Sequence, residues 1–572
     1  MKGDIMSFQR VWHKQNHPSV PPEIKVQKTT MPEVLAAGAK QYPKLPAIYY
    51  MGKSLSFEEF DGLVNRFANA LTGLGVRRGD RMAILLPNIP QVLIANLAVM
   101  RLGAIPVMLN PLYTDRELEY QILNSESKMA LTLDLVLPKI MRIKSATGLK
   151  DIIACHINDY LPFPKKQLFP LVKKDMFRKI PSEPGMHEFM SLIEKAPGTP
   201  VKNAARWEET AVVMYSGGTT GVSKGVVHTH AALSTNVQQL AAHMYDIEPG
   251  DRLLFIFPAF HIAGHFCSHL CIWMKLANVL IPRPEPALLA DAIRSGKPNF
   301  IGAVPTIYTA LLREKKFRNS DVSFIKGFFS GAAPLPIEII NQLKELTGST
   351  MLELYGMTEA GIVTGTPWRK PIRVGTVGIP FPSTDMKIVD VDTGTREMAT
   401  GESGEICLKG PQVMKEYLKN PDETANVLRD GWMYTGDIGI VDEDGFLSIV
   451  DRKKDVIITG GFNVYPKEVD EVLYEHPKIL EACTIGVPDD YRGETVKAYV
   501  VLKPGETLTA EEVIAFCREK LSPYKVPRQV AFISEMPKSA VGKILRRELR
   551  DMEMKRKSNA SQGAETKAAA EN

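Results

Sequence analysis

The run Ala211-Val212-Val213-Met214-Tyr215 passes directly into Ser216-Gly217-Gly218-Thr219-Thr220-Gly221-Val222-Ser223-Lys224-Gly225. The first part is apolar, β-branched and too short for a helix, so it predicts a buried strand. The second part cannot extend that strand. Its glycines let the backbone turn tightly and approach a ligand, so that successive N–H groups can face one anion. Hydroxyls add donors and Lys224 adds a mobile positive charge, which together make a phosphate cradle. Two other readings fit the same residues: a flexible surface turn, and a hydrolase elbow, since Gly221-Val222-Ser223-Lys224-Gly225 matches G-x-S-x-G. A Walker A loop does not fit, because Ser223 precedes Lys224 where that motif needs Gly.

The chain has 572 residues, enough for two or more domains, and its 44% hydrophobic and 24% charged content is ordinary for a globular protein. Net charge is +5, from 70 basic and 65 acidic residues, too balanced for nucleic acid to be the main partner. Cys155, Cys267, Cys271, Cys407, Cys483 and Cys517 form no C-x-x-C pair, which suits free thiols in a reducing compartment. Residues 1–27 are polar and read as no secretory signal, and the Ala-Glu-Asn end carries no peroxisomal address. The expected location is cytoplasmic.

Strand, helix and strand alternate from about Thr30 to Leu112: a helix over Phe57–Leu74, strands at 81–86 and 105–109, and a helix over 91–102. Further strands are expected at 253–257, 300–304, 328–331 and 351–356, each running into a loop of small or polar residues. In open α/β sheets ligands sit beyond the carboxyl ends of strands, so these loops can converge. After Pro371 short strands with Gly-rich turns predict a β-rich subdomain, at 385–391, 404–409 and 437–450. The charged run Asp451–Asp455 marks a domain boundary. A small α+β unit follows, with helices at 466–474 and after the capping box at Thr509. The predicted class is α/β, with extents 1–30 for an N-terminal extension, 31–451 for the large domain, 452–552 for the small domain and 553–572 for a disordered tail.

Residues 155–181 break the pattern. Lys165, Lys166, Lys173, Lys174, Arg178 and Lys179 are mixed with Leu161, Phe163, Leu168, Phe169, Leu171 and Phe177. This composition fits contact with an anionic membrane surface, and equally a surface excursion whose apolar residues fold back. Prolines rule out one long amphipathic helix.

Five stretches occur in a fixed order: Ser216–Gly225, Phe260-His261-Ile262-Ala263-Gly264, Leu354-Tyr355-Gly356-Met357-Thr358-Glu359, Tyr434-Thr435-Gly436-Asp437, and Pro537-Lys538-Ser539-Ala540-Val541-Gly542-Lys543. With them the chain resembles the adenylate-forming superfamily, from about Thr30 to Leu549. Within it the chain looks most like bacterial long-chain fatty-acid–CoA ligases, through 217–221 and through Val450–Asp455 followed by Gly460–Pro466. The resemblance implies two steps: a fatty-acid carboxylate attacks the α-phosphate of ATP, and coenzyme A thiol then displaces AMP. It implies that Ser216, Gly217, Gly218, Thr219, Thr220, Gly221 and Lys224 hold the β- and γ-phosphates. Thr358 would bind the α-phosphate and Glu359 a magnesium ion. Lys543 would reach carboxylate and α-phosphate. Asp437 and Arg452 would hold the ribose, while Tyr355, Gly356, Gly331, Ala332 and Ala333 would border adenine and His261 the acyl carboxylate. The small domain would be mobile about Lys454, bringing Gly460 and Gly461 to a pantetheine tunnel. Relatives that dimerise leave a homodimer open.

Plainer readings stand beside these. Glu359 alone could be a surface carboxylate, Asp437 an ordinary turn residue and Lys543 part of a basic helix face with Arg546, Arg547 and Arg550. His261, His265 and His269 at helical spacing suggest zinc, but no acidic residue accompanies them. Other functions weighed are a serine hydrolase using Ser223, a nucleotide-binding module without catalysis, and a medium-chain or aryl-acid ligase. Small residues such as Ala259, Gly264, Gly302, Gly331 and Gly361 are compatible with an open acyl channel.

Overall fold

The computed structural model describes residues 10–216, 223–331, 335–459, 462–489, 491–539 and 544–556. Mixed α and β structure divides into two compact units. One comprises Met1–Met386, Leu408–Met433 and Asp444–Phe446, and the other Lys387–Cys407, Tyr434–Glu443 and Leu447–Asn572.

Local signals set the element ends in the larger unit. Ser56 accepts from the Glu59 N–H while Glu59 accepts from the Ser56 N–H, and this reciprocal cap starts the helix Phe57–Gly73. Its apolar face buries Phe57, Phe60, Val64, Phe67 and Leu71. Thr114 and Glu117 cap Asp115–Ser125 in the same way. Helix Pro90–Arg101 starts on a proline and is buried on every side, as its unbroken apolar run demands. It shares one core with helices His230–His243 and Ile262–Met274.

Two large sheets carry the site. The eight-stranded sheet runs, in spatial order, 416–417, 224–229, 210–216, 105–108, 81–85, 129–133, 151–155 and 186–188. The nine-stranded sheet runs 379–380, 361–365, 350–357, 327–331, 300–303, 252–255, 277–280, 46–50 and 53–56. The inner strands are parallel and nearly fully buried, as expected for strands covered on both faces. Strand Lys224–Thr229, which no pattern in the sequence marks, pairs antiparallel with Thr210–Ser216 and places Lys224 opposite Ser216. The two ends of the glycine-rich run therefore lie side by side. Residues 217–222 are outside the described residues.

The segment at 155–181 is tied down at both ends and exposed in its middle. Tyr160 and Leu161 are buried, Phe177 stacks on His156, and the Arg178 N–H donates to Asp134 at 2.7 Å. Between them the short helix Lys165–Val172, with Pro170 inside it, buries none of its residues. Phe163 is 83% exposed, Leu171 67% and Val172 72%. Among the described residues no helix is long and apolar enough to cross a membrane.

The smaller unit contains strands Ile457–Thr459, Phe462–Val464, Ile479–Asp489, Gly493–Leu502 and Gln529–Phe532 in one sheet, with helices Pro466–Tyr474 and Ala510–Lys520. The β-rich stretch expected after Pro371 is present as Asp385–Val389, Gly404–Lys409, Trp432–Val441 and Leu447–Arg452. The run at 451–455 is less exposed than its composition suggests, since Asp451 and Asp455 are buried beside arginines.

Helix His230–His243 begins and ends on buried imidazoles, and His228 lies just before it. Burial pushes all three from the usual 6.5 down to about 4. A buried ring favours its neutral form, so the unfolded chain takes up protons first as pH falls. Stability is full above pH 6.5 and is lost between about 6.5 and 4, on the order of 3 kcal/mol per ring. The His243 ring reaches the Thr366 carbonyl at 2.8 Å, a bond that a glutamine amide can also make. His243→Gln should therefore flatten the acid side of a stability–pH curve measured by urea unfolding; an unchanged slope would remove His243 from this account.

Candidate active site

Contacts between the two sheets link Lys224, Thr358 and Glu359 through His228, Tyr417 and Glu423. Strands Thr350–Met357 and Gly361–Gly365 are antiparallel neighbours, and Thr358-Glu359-Ala360 is the turn between them. Three groups hold that turn and a fourth holds the strand just after it. His228 Nε2 lies 2.7 Å from the Thr358 carbonyl, so it must carry the proton, because a carbonyl only accepts. The Met414 N–H donates to the Glu359 carbonyl at 2.7 Å, and the Tyr417 hydroxyl donates to Glu359 Oε1 at 2.9 Å. Asn236 donates to the Ile362 carbonyl and accepts from the Ile362 N–H. A carboxylate fixed in this way at a turn is not a casual surface group.

Tyr417 sits on the edge strand Glu416–Tyr417, which pairs with Lys224–Thr229 through Glu416 to Val227 and Tyr417 to Val226. Asn420 then caps the short helix Pro421–Val427, where Glu423 forms an ion pair with Lys224. The Lys224 ammonium also lies 5.0 Å from the centre of the Tyr417 ring. Lys224 draws the Glu423 carboxyl below its usual range. Burial, reinforced by the charge of Glu359, pushes the Tyr417 phenol far up, so Tyr417 stays a proton donor. Glu423 and Tyr417 are the functional candidates missed in the sequence. Asn420-Pro421-Asp422-Glu423 reads there as an ordinary helix start.

Ser216 is half-buried at the end of its strand. The Ser223 hydroxyl donates to the Ser216 carbonyl at 2.9 Å and accepts from Gln121 at 3.2 Å. That is the bonding of a loop-closing serine, not of a nucleophile facing a base. Gly331 ends its strand beside Leu354, Tyr355 is half-buried and Gly356 is exposed. A Cβ on Gly331 would sit 3.0 Å from the Leu354 carbonyl oxygen, a tight contact between these neighbouring strands. His261 caps helix Ile262–Met274, accepting from the Ala263 N–H at 3.4 Å. His265 and His269 are buried inside that helix, and His269 Nε2 meets Asn96 at 3.0 Å.

The open channel expected from small residues is not what several of these glycines provide. Space at Gly264 is taken by the carbonyls of Phe257 and Pro258, and space at Gly302 by the Phe255 ring. At Gly361 it is taken by Asn236. They serve close packing here.

In the smaller unit Asp437 and Arg452 are register partners on adjacent strands and form an ion pair at 3.2 Å. Asp437 is buried and its N–H donates to the Thr435 hydroxyl. Lys453 pairs with buried Glu405, which also accepts from the Gly436 N–H. Lys454 lies in a single 3-10 turn, and burial pulls its ammonium down to about 8. Ala332, Ala333, Gly460, Gly461 and Lys543 lie outside the described residues, as do Gly217, Gly218, Thr219, Thr220 and Gly221.

Residues 35–418 match the AMP-binding enzyme family, and residues 468–543 match the AMP-binding enzyme C-terminal domain. The chain is similar to a long-chain-fatty-acid–CoA ligase of Bacillus subtilis (strain 168), at 42% identity over 96% of this chain and 99% of the relative. It is also similar to a long-chain-fatty-acid–CoA ligase of Yersinia pestis, at 38% identity over 96% and 99%. Among solved structures it resembles the anthranilate CoA ligase AuaEII in complex with anthranoyl-AMP, with a TM-score of 0.81, 27% identity and coverage of 92% and 97%.

Gly361 immediately follows the Thr358–Ala360 turn with φ +69°, and a Cβ there would lie 2.5 Å from Asn236 Oδ1. Gly361→Ala combines a strained backbone with a displaced Asn236, at a cost on the order of 1–3 kcal/mol. We expect a lowered Tm together with weaker nucleotide-induced stabilisation. A variant that keeps both at wild-type values would show that the turn tolerates a side chain.

Proposed function

The chain belongs to the AMP-binding enzyme family, and on that premise we propose that it is an AMP-forming fatty-acid–CoA ligase acting on long-chain acids. The observation that carries this is the Lys224, Thr358 and Glu359 cluster, set in a chain similar over nearly its whole length to ligases of that kind. Bringing a carboxylate against a triphosphate needs cations and donors on the phosphates. Lys224, with Ser216 and the glycine-rich run to Gly221, supplies them for the β- and γ-phosphates. The Thr358 hydroxyl serves the α-phosphate, and Lys543 neutralises charge between carboxylate and α-phosphate as the P–O bond to pyrophosphate breaks. Asp437, paired with Arg452, accepts from the ribose hydroxyls, while Tyr355, Gly356 and Gly331 with Ala332 and Ala333 border adenine. His261 is assigned to the acyl carboxylate. In the second step the thiolate of coenzyme A forms the C–S bond and AMP leaves with the bonding pair. The small domain, 452–552, is proposed to turn about Lys454 between the steps, with Gly460 and Gly461 beside the pantetheine arm.

A magnesium ion fits these residues. Such an ion takes most of its ligands from phosphates and water, so a single oriented carboxylate is enough. Glu359 is that carboxylate. When bound, the ion screens the triphosphate charge.

The test is product formation from ATP, coenzyme A and acids of rising chain length plus benzoate, with products identified by mass. Acyl-CoA and AMP should appear with a maximum at long chains, and Lys543→Ala should lose adenylation while Ser223→Ala loses little. A maximum at benzoate or short acids would overturn the long-chain assignment. Loss of all activity in Ser223→Ala with none in Lys543→Ala would return the hydrolase.

We also assign the exposed face of 163–174 to an anionic membrane surface. Its exposed Phe163, Leu168, Leu171 and Val172 lie among exposed Lys165, Lys173 and Lys174, an apolar patch ringed by positive charge. Sedimentation with phosphatidylglycerol vesicles should exceed that with phosphatidylcholine, should weaken with salt, and should fall in Leu171→Glu/Val172→Glu. Equal sedimentation of wild type and variant would refute it.

A further inference from the structure

One short stretch, Glu416–Val427, reaches both charged groups of the proposed phosphate site. Its first strand carries Tyr417, whose hydroxyl donates to Glu359 Oε1 at 2.9 Å. Its helix carries Glu423, which is ion-paired with Lys224. The Tyr417 N–H donates to the Thr424 hydroxyl at 3.0 Å, binding strand and helix into one piece. Edge pairing holds that piece to Lys224–Thr229, with the Leu418 N–H on the Gly225 carbonyl at 2.7 Å. The result is a continuous chain of contacts: Glu423, Lys224, the Tyr417 ring and Glu359.

We propose that Tyr417 and Glu423 are positioning residues for nucleotide binding. Tyr417 fixes the Glu359 carboxylate for the metal, and Glu423 holds the Lys224 ammonium until the triphosphate replaces it. This rests on the ligase reading and deepens it. A hydrogen bond to one oxygen of a metal-binding carboxylate sets the direction in which its other lone pairs point. Loss of such an outer partner weakens metal binding by tenfold or more in comparable sites. Glu423 acts in the opposite sense. It competes with phosphate for one ammonium, at the scale of a partly exposed ion pair, with side chains 20% and 31% exposed.

The two variants therefore move different quantities in different directions. Tyr417→Phe keeps the ring over Lys224 and removes only the donor. It should weaken Mn²⁺ binding, read by electron paramagnetic resonance with a non-hydrolysable ATP analogue, by roughly tenfold. The Mg²⁺ half-saturation of ATP–pyrophosphate exchange should rise in parallel, with the rate at saturating Mg²⁺ within about twofold of wild type. Glu423→Gln removes the competitor and should lower the KM for ATP by roughly threefold. A purely structural role would reduce Tm and rate in both variants, with the metal affinity of Tyr417→Phe unmoved and the KM of Glu423→Gln unmoved or raised. Wild-type metal affinity in Tyr417→Phe together with an unchanged or raised KM in Glu423→Gln would overturn the proposal. If wild type itself supports no ATP–pyrophosphate exchange with any acid, the ligase reading fails first and the proposal falls with it.

Discussion

The turn Thr358-Glu359-Ala360 belongs to the nine-stranded sheet, but groups outside that sheet hold it in place. His228 and Tyr417, both on strands of the eight-stranded sheet, reach its first two residues, and Met414 binds it just before the edge strand. The contacts satisfy the Thr358 and Glu359 carbonyls and one oxygen of the Glu359 carboxylate. The two sheets are thereby registered against each other at the point where the proposed chemistry occurs. A shift of either sheet would break several of these bonds together.

That registration also explains the protonation states around the turn. His228 must donate to the Thr358 carbonyl, and a fully buried ring stays neutral, so its proton is committed to that bond. Tyr417 faces the charge of Glu359 within a largely buried setting and keeps its proton for the same reason. The mobile charge that remains is Lys224, and it is matched by Glu423. The arrangement has fixed donors around one carboxylate and one exchangeable cation beside them, which is what binding of a metal–triphosphate requires.

Much of this was legible in the sequence, and the exceptions have physical causes. Strands 81–85, 105–108, 300–303 and 327–331 and helices 57–73 and 466–474 fall within a few residues of their predicted ends, because each is bounded by a cap, a proline or a glycine. Thr358 and Glu359 could be named only through motif order. Nothing local distinguishes Glu359 from a surface glutamate until Tyr417, 58 positions away, is seen to reach it. Tyr417 and Glu423 were invisible for the same reason, since their partners are distant in the chain and the helix start at Asn420 accounts for their neighbourhood. The acyl-channel reading of Gly264, Gly302 and Gly361 failed because glycine marks close approach as readily as open space, and only the neighbouring atoms decide which.

The smaller unit solves a related problem with ions. Arg546 is paired with Asp470 at 2.6 Å and lies near Asp451 and Asp455, while Arg550 meets Asp455 at 2.9 Å. Three buried carboxylates thus share two guanidiniums, and burial raises Asp470 to about 6 despite its partner. Replacing either arginine by a neutral residue would strand a buried charge, at a cost of roughly 3–5 kcal/mol. Such a cluster gives little net stability over an apolar core, but it fixes geometry tightly. It welds the run beginning at Asp451, which contains Lys454, to helix Pro466–Tyr474 and to the residues that follow Lys543 in the chain. Asp455, Asp470, Arg546 and Arg550 all follow Lys454, whereas Asp451 precedes it, so the proposed rotation about Lys454 would carry the first four together and exchange the contacts of Asp451 with Arg546 and the Lys467 N–H.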